Sequence, residues 1–188
     1  MSRKISLFMI TLILINTEYL YPQTNVYLSN KFIQVILQHI TVRDLVEENT
    51  VFSKSVIQSP LTRPKTTSLF GWRKHPVTGQ YGFHQGVDLV SEDKIVRNIL
   101  DGVVSTSGYH TYLGNYVRVN HGKLQSVYGH LSFITVQEGQ SILSGYPIGI
   151  IGNTGRVTGE HLHFGLMYNG IYIDPWQFLQ SLTNNNSK

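Results

Sequence analysis

Gly159-Glu160-His161-Leu162-His163-Phe164 places two imidazoles one residue apart in a stretch that favours an extended chain. In a β-strand, side chains at i and i+2 leave the same face about 6.5–7 Å apart, so His161 and His163 can share one small site. Leu162 and Phe164 then point the other way, where they can anchor the strand in a core. The stretch therefore predicts a sheet with one apolar face and one face that carries chemistry.

The surrounding sequence agrees with a β-rich body. From Ser68 onward short apolar runs alternate with turn signals, and strands are expected at Val103–Ser107, Tyr116–Asn120, Gln125–Tyr128, Ile148–Ile151, His161–Tyr168 and Ile171–Ile173. Asn169-Gly170 is a two-residue hairpin signal, because both central positions of a type I′ turn require positive φ. Asn120 to Lys123 is expected to form another turn. Asp174-Pro175 is an N-cap and first-turn pair that opens a short closing helix over Trp176–Leu182. Charged residues make up only 14% of the chain, against about 25% in ordinary domains.

Four segments are expected: 1–23, 24–59, 60–182 and 183–188. Arg3 and Lys4 precede an apolar stretch from Ile5 to Ile15, too short for the ~20 residues that span a bilayer, and this reads as an export signal or N-terminal anchor. The expected location is the periplasm, the cell envelope or the exterior. Residues 24–59 carry no functional reading, although Asn30 could cap a helix through Ile40. Gln58 to Thr67, with two prolines, reads as a linker into the main domain. The tail 183–188 is polar.

The chain has no cysteine, so disulfides, thiolate metal sites and a Cys nucleophile are excluded; any metal must be held by His and carboxylates. A net charge of +4 permits attraction to an anionic polymer. No Lys/Arg run supports nucleic acid, which is not expected as a partner; nor is a membrane partner beyond the N-terminal anchor.

Several of the eight histidines fall close to glycines. His84 and Asp88, in His84-Gln85-Gly86-Val87-Asp88, would lie ~13 Å apart on a straight strand, so the chain must bend, and Gly86 is where it can. Zinc accepts His nitrogen and carboxylate oxygen, and its catalytic sites use three protein ligands. His84, Asp88 and one of the His161/His163 pair meet that count. His130, in Tyr128-Gly129-His130-Leu131, completes the set. Two imidazoles then remain to move protons. His39, His75, His110 and His121 are expected at surface, turn or substrate-proximal positions.

Phe70-Gly71-Trp72-Arg73-Lys74-His75-Pro76, His84-Gln85-Gly86-Val87-Asp88-Leu89, Gly114-Asn115-Tyr116-Val117, Tyr128-Gly129-His130-Leu131, Gly152-Asn153-Thr154-Gly155 and Thr158 to Phe164 together resemble the lysostaphin/LytM-type zinc metallopeptidases. The resemblance runs from about Pro60 to Trp176. It implies an all-β, mainly antiparallel fold with a narrow groove and one zinc ion at its floor. Position by position, it implies His84, Asp88 and His163 as zinc ligands and His130 and His161 as the catalytic histidines. Asn115 and Tyr128 are further expected to line the groove, and Thr154, Gly155, Thr158 and Gly159 to shape the loop that leads into the His-x-His strand. The implied substrate is the peptide of bacterial peptidoglycan, its stems or cross-links, cut by an endopeptidase. Two competing readings are a wall-binding module that regulates other hydrolases and a zinc peptidase that acts on another exported peptide.

Overall fold

A computed structural model of the chain describes residues 56–74 and 79–185. The expected export segment, the helix expected after Asn30, His39 and His75 lie outside these residues. Among the described residues, twelve strands and one helix follow in order: β1 Lys65–Ser68, β2 Gly71–Lys74, β3 Tyr81–His84, β4 Val87–Val90, β5 Ile95–Arg97, β6 Gly102–His110, β7 Gly114–Asn120, β8 Leu124–Ile134, β9 Ser141–Ile142, β10 Pro147–Ile151, β11 Leu162–Tyr168, β12 Ile171–Ile173 and α1 Pro175–Asn185. Every pairing among them is antiparallel. The main sheet runs β1-β4-β11-β8-β7-β6-β9, and β2 with β3 forms a separate hairpin.

The alternation in β11 sorts the sheet into two faces. Phe164, Leu166 and Leu162 point to one side, where Val87 and Leu89 of β4, Tyr128 and Leu124 of β8, and Val117 and Val119 of β7 join them, all fully buried. β10 and the segment around Ile99-Leu100 supply more of this core, and Phe178 and Leu179 of α1 join it. Each such large apolar side chain contributes about 1.5–3 kcal/mol on burial. On the opposite face, register aligns Asp88 of β4 with His163 of β11, and His163 with Gly129 of β8.

β8 is long because it serves two partners. Leu124 to Gly129 pairs with β11, whereas Leu131 to Ile134 pairs with β10. The change falls at His130, which has φ +63°. Against β7, register passes from Val117↔Tyr128 to Asn115↔Leu131, so β8 holds one residue more than its partner there. This is a β-bulge, a device that re-aims a side chain.

The turns follow the sequence closely. Asn169 and Gly170 have φ of +48° and +79° and join β11 to β12. The Asp174 carboxylate accepts from the backbone N–H groups of Trp176 and Gln177, capping α1. The linker reading of Gln58–Thr67 does not hold: Leu61 is buried in the core, Gln58 N–H donates to the Ile99 carbonyl, and Lys65 to Ser68 form β1. Proline-rich composition here reflects a chain laid along the sheet edge. Among the described residues, no helix is long and apolar enough to cross a membrane.

Candidate metal centre and active site

The bend expected at Gly86 separates β3 from β4 and folds His84 back over Asp88. His84 Nε2 lies 3.1 Å from Asp88 Oδ1, and His163 Nδ1 lies 3.2 Å from the same oxygen and 3.1 Å from His84 Nε2. The three donor atoms form a nearly equilateral triangle. Gly86 permits this because a Cβ there would fall 2.6 Å from the Phe164 carbonyl oxygen and 2.7 Å from His163 Cε1.

Protonation explains why such a triangle invites a cation. His84 Nδ1–H donates to the Leu69 carbonyl at 2.8 Å, which leaves the Nε2 lone pair aimed at Asp88 and His163. Burial lowers the His163 pKa, although the hydrogen bond with Asp88 opposes that shift. Burial alone would raise Asp88, but hydrogen bonds and charge from His163 and His84 hold its carboxyl far below the usual carboxylate range. Arg73 Nη2 lies 3.5 Å from the other carboxylate oxygen. Ligand atoms on a tetrahedral zinc at 2.0–2.1 Å are about 3.3–3.4 Å apart, so a triangle of this size fits that ion with little adjustment.

Two further imidazoles stand beside the triangle. His161 precedes β11, where Gly152 bridges it, and its Nε2 lies 3.5 Å from Asp88 Oδ1. Its Nδ1–H donates to the Gly159 carbonyl at 2.8 Å. His130 Nδ1–H donates to the Thr154 carbonyl at 2.8 Å, and the His130 ring centroid is 4.8 Å from that of His161. Both rings therefore keep Nδ1 engaged with backbone and leave Nε2 available. Burial brings the His130 pKa down to about 4, a shift the Thr154 hydrogen bond only partly offsets.

These groups line a groove with a cavity of about 570 Å³. Arg73, Gly82 and Phe83 of the β2–β3 hairpin form one wall. The tip of the β6–β7 hairpin, with His110, Tyr112 and Leu113, and the loop carrying Arg156, Val157 and Thr158 form the other. Thr154 ties the second wall together: its hydroxyl accepts from Asn115 N–H and donates to the Leu131 carbonyl.

Two groove expectations are corrected. Tyr128 is fully buried on the core face, its ring packs against Phe164, and its hydroxyl accepts from Ile99 N–H. Burial raises its pKa further. Asn115 spends its side-chain amide on the Leu131 carbonyl and braces the loop without lining the groove. His110 lines the groove, but His121, although in a turn, is 2% exposed, with Nδ1–H donated to the Asp101 carbonyl and Nε2 accepting from Ser126 Oγ. Arg73, Arg118, Arg156 and Tyr172 also line the groove and were not among the expected residues. Alternation along β7 against Val117 and Val119 was the one signal that could have placed Arg118.

Comparison with known proteins gives a consistent answer. The profile described as Peptidase family M23 matches residues 82–175, half of the chain. The sequence is 36% identical over 152 residues to the peptidoglycan DD-endopeptidase ShyC of Vibrio cholerae, covering 74% of this chain and 35% of that protein. It is 36% identical over 118 residues to the DD-carboxypeptidase/endopeptidase Mpg of Neisseria meningitidis, covering 62% of this chain and 27% of that one. The chain thus spans about a third or less of these relatives. Among solved structures, the lysostaphin catalytic domain of Staphylococcus simulans superposes with a TM-score of 0.55 at 32% identity, over 62% of this chain and 92% of that one. A zinc-containing peptidase from Vibrio cholerae gives 0.58 at 34% identity, over 64% and 39%.

Proposed function

The chain belongs to peptidase family M23, and on that premise we propose that it is a zinc endopeptidase of the cell envelope that cuts the peptides of bacterial peptidoglycan. The observation that carries this reading is the triangle of His84 Nε2, Asp88 Oδ1 and His163 Nδ1 beside two imidazoles whose Nδ1–H groups are held by backbone carbonyls. The peptidoglycan substrate and the envelope location rest on the names of the relatives, ShyC and Mpg. The domain that carries the activity is residues 60–182.

His84, Asp88 and His163 would hold the zinc ion. Bound there, it would supply Lewis-acid chemistry that activates a water and polarises the scissile carbonyl. His130, kept neutral by its burial, accepts the proton of the attacking water at Nε2 and delivers it to the leaving amine. His161 is left to steady the charge that develops on the carbonyl oxygen, which it does by donating from Nε2 when that nitrogen carries a proton as well as Nδ1. Thr154 and Gly159, through their carbonyl oxygens, hold both rings in the orientation that aims Nε2 into the groove.

The test is digestion of purified sacculi, with the metal content of the protein measured in parallel. One zinc per chain and released peptides that mass spectrometry identifies as stem or cross-link fragments are expected. Zinc with no release from sacculi would shift the reading to another exported peptide. Binding to sacculi by a protein that retains no zinc would leave a binding module.

A further inference from the structure

We propose that Arg118 forms a carboxylate-binding subsite on the groove floor, so that the enzyme favours peptides with a free carboxylate a few residues from the cut bond. This rests on the peptidase reading above and deepens it. Arg118 lies on β7, paired with Val127 of β8, which in turn pairs with Gly165 of β11. Val127 and Arg118 both line the groove, on the face that carries His163. Two strands across and two residues along, Arg118 is ~12 Å from His163 between α-carbons, a distance spanned by three to four residues of an extended peptide.

The chemistry of Arg118 is incomplete within the protein. Its Nε is buried with no hydrogen-bond partner, one of two such side-chain atoms among the described residues. The guanidinium makes no side-chain hydrogen bond or ion pair there, and the Tyr116 ring lies 5.8 Å from its Cζ, measured to the centroid. A buried guanidinium N–H without an acceptor is costly, and such orphans call for an explanation.

The groove offers no internal counter-ion. Three arginines line it, but Asp88 is its one carboxylate, and the metal triangle and Arg73 already engage that group. Arg156 stands over the Tyr112 ring on the exposed wall. An anionic partner must therefore arrive with the substrate. A guanidinium offers two parallel N–H donors to a carboxylate, which is the match a planar fork provides.

The experiment compares a cross-linked peptidoglycan peptide dimer with the same dimer after its free carboxylates are converted to carboxamides. Wild type, Arg118→Gln and Arg118→Lys are measured on both, with zinc content checked. Wild type should prefer the acidic dimer. Arg118→Gln should lose about 10–100-fold in kcat/KM on it, mainly through KM, with little change on the amidated dimer and full zinc occupancy. Arg118→Lys should recover part of the loss, because it restores charge without the fork. Equal losses on both dimers, or a wild type indifferent to amidation, would overturn the proposal. If wild type cuts neither dimer, the peptidase reading fails on its own terms, and calorimetric titration still decides Arg118. A binding preference for the acidic dimer that Arg118→Gln abolishes supports the subsite; equal binding refutes it.

Discussion

Adding one methyl group at Gly86 should dislodge His163, a proposed metal ligand, without touching its chemistry. A Cβ at this position would sit 2.6 Å from the Phe164 carbonyl oxygen and 2.7 and 2.8 Å from Cε1 and Nε2 of His163. Ordinary carbon contacts begin near 3.5 Å, so something must retreat by about 0.7–0.9 Å. Phe164 is held in register with Val87 on one side and Tyr128 on the other, so its backbone has little room to yield. The His163 ring takes the displacement, and Nδ1 leaves the triangle with it. Metal–ligand distances tolerate only about 0.2 Å, and disturbing the groups that orient a ligand typically costs 10–100-fold in metal affinity. Gly86→Ala should therefore bind zinc about 10–100-fold more weakly and lose about 1–3 kcal/mol of stability to overpacking. Competition against a chromophoric chelator reads the first and thermal unfolding of the metal-free protein the second. Gly108→Ala, at a position with open space around the added carbon, is the control. Zinc affinity within threefold of wild type, with an unchanged melting temperature, would mean that Gly86 does not clamp the His163 ring.

Other substitutions separate metal binding, turnover and folding. Asp88→Ala should lose both zinc and activity, whereas His130→Ala should keep zinc and lose about 10²–10⁴-fold in kcat, as removal of a general acid–base group does; metal analysis beside steady-state kinetics distinguishes them. Tyr128→Phe should cost about 1–3 kcal/mol, because it leaves the buried Ile99 N–H without an acceptor, yet kcat/KM should not change. A tenfold loss of activity with an unaltered melt would return Tyr128 to the groove. His121 sets an acid limit on stability: burial brings its pKa from 6.5 down to about 4 in the folded protein. Above pH ~6.5 the ring is neutral in both states and its contribution is intact. As pH falls from there towards 4, the unfolded chain takes up a proton that the folded protein refuses, and ~3 kcal/mol is lost before the effect levels off. Urea unfolding between pH 4 and 8 should show a shallower pH dependence for His121→Asn than for wild type.

Much of this was legible in the sequence where side chains follow a simple period. His163 and Phe164 fall on opposite faces as two-residue alternation requires, and the Asn169-Gly170 and Asp174-Pro175 signals describe local backbone chemistry that needs no tertiary context. The expected groove position of Tyr128 fails at β8, where Tyr128 and His130, two residues apart, would share a face in any regular strand. The bulge at His130 breaks that period, and Tyr128 stays with Phe164 and Val117 in the core while His130 turns outward. Nothing local announces the extra residue, because it depends on β8 changing partner from β11 to β10. The same limit applied to Gln58–Thr67, whose prolines suit a linker and an edge segment equally well.

The bulge also divides the site into parts with different physical support. His163 and Asp88 sit directly opposite one another in a regular ladder, and His84 is fixed by the Leu69 carbonyl, so the ligand triangle is built by sheet pairing before any ion is present. His130 has no such support, since a non-glycine residue at φ +63° stores backbone strain that its surroundings must hold. They do so through the loops: His130 N–H donates to the Leu113 carbonyl, and its ring N–H to the Thr154 carbonyl. Those two loops interlock so tightly that a Cβ on Gly114 would lie 2.3 Å from Thr154, and one on Gly155 2.2 Å from Gly114 N. The His84–Asp88–His163 triangle is thus a property of the sheet, whereas the placement of His130 is a property of two loops that also form a groove wall. Whatever presses on that wall reaches His130 before it reaches the His84–Asp88–His163 triangle.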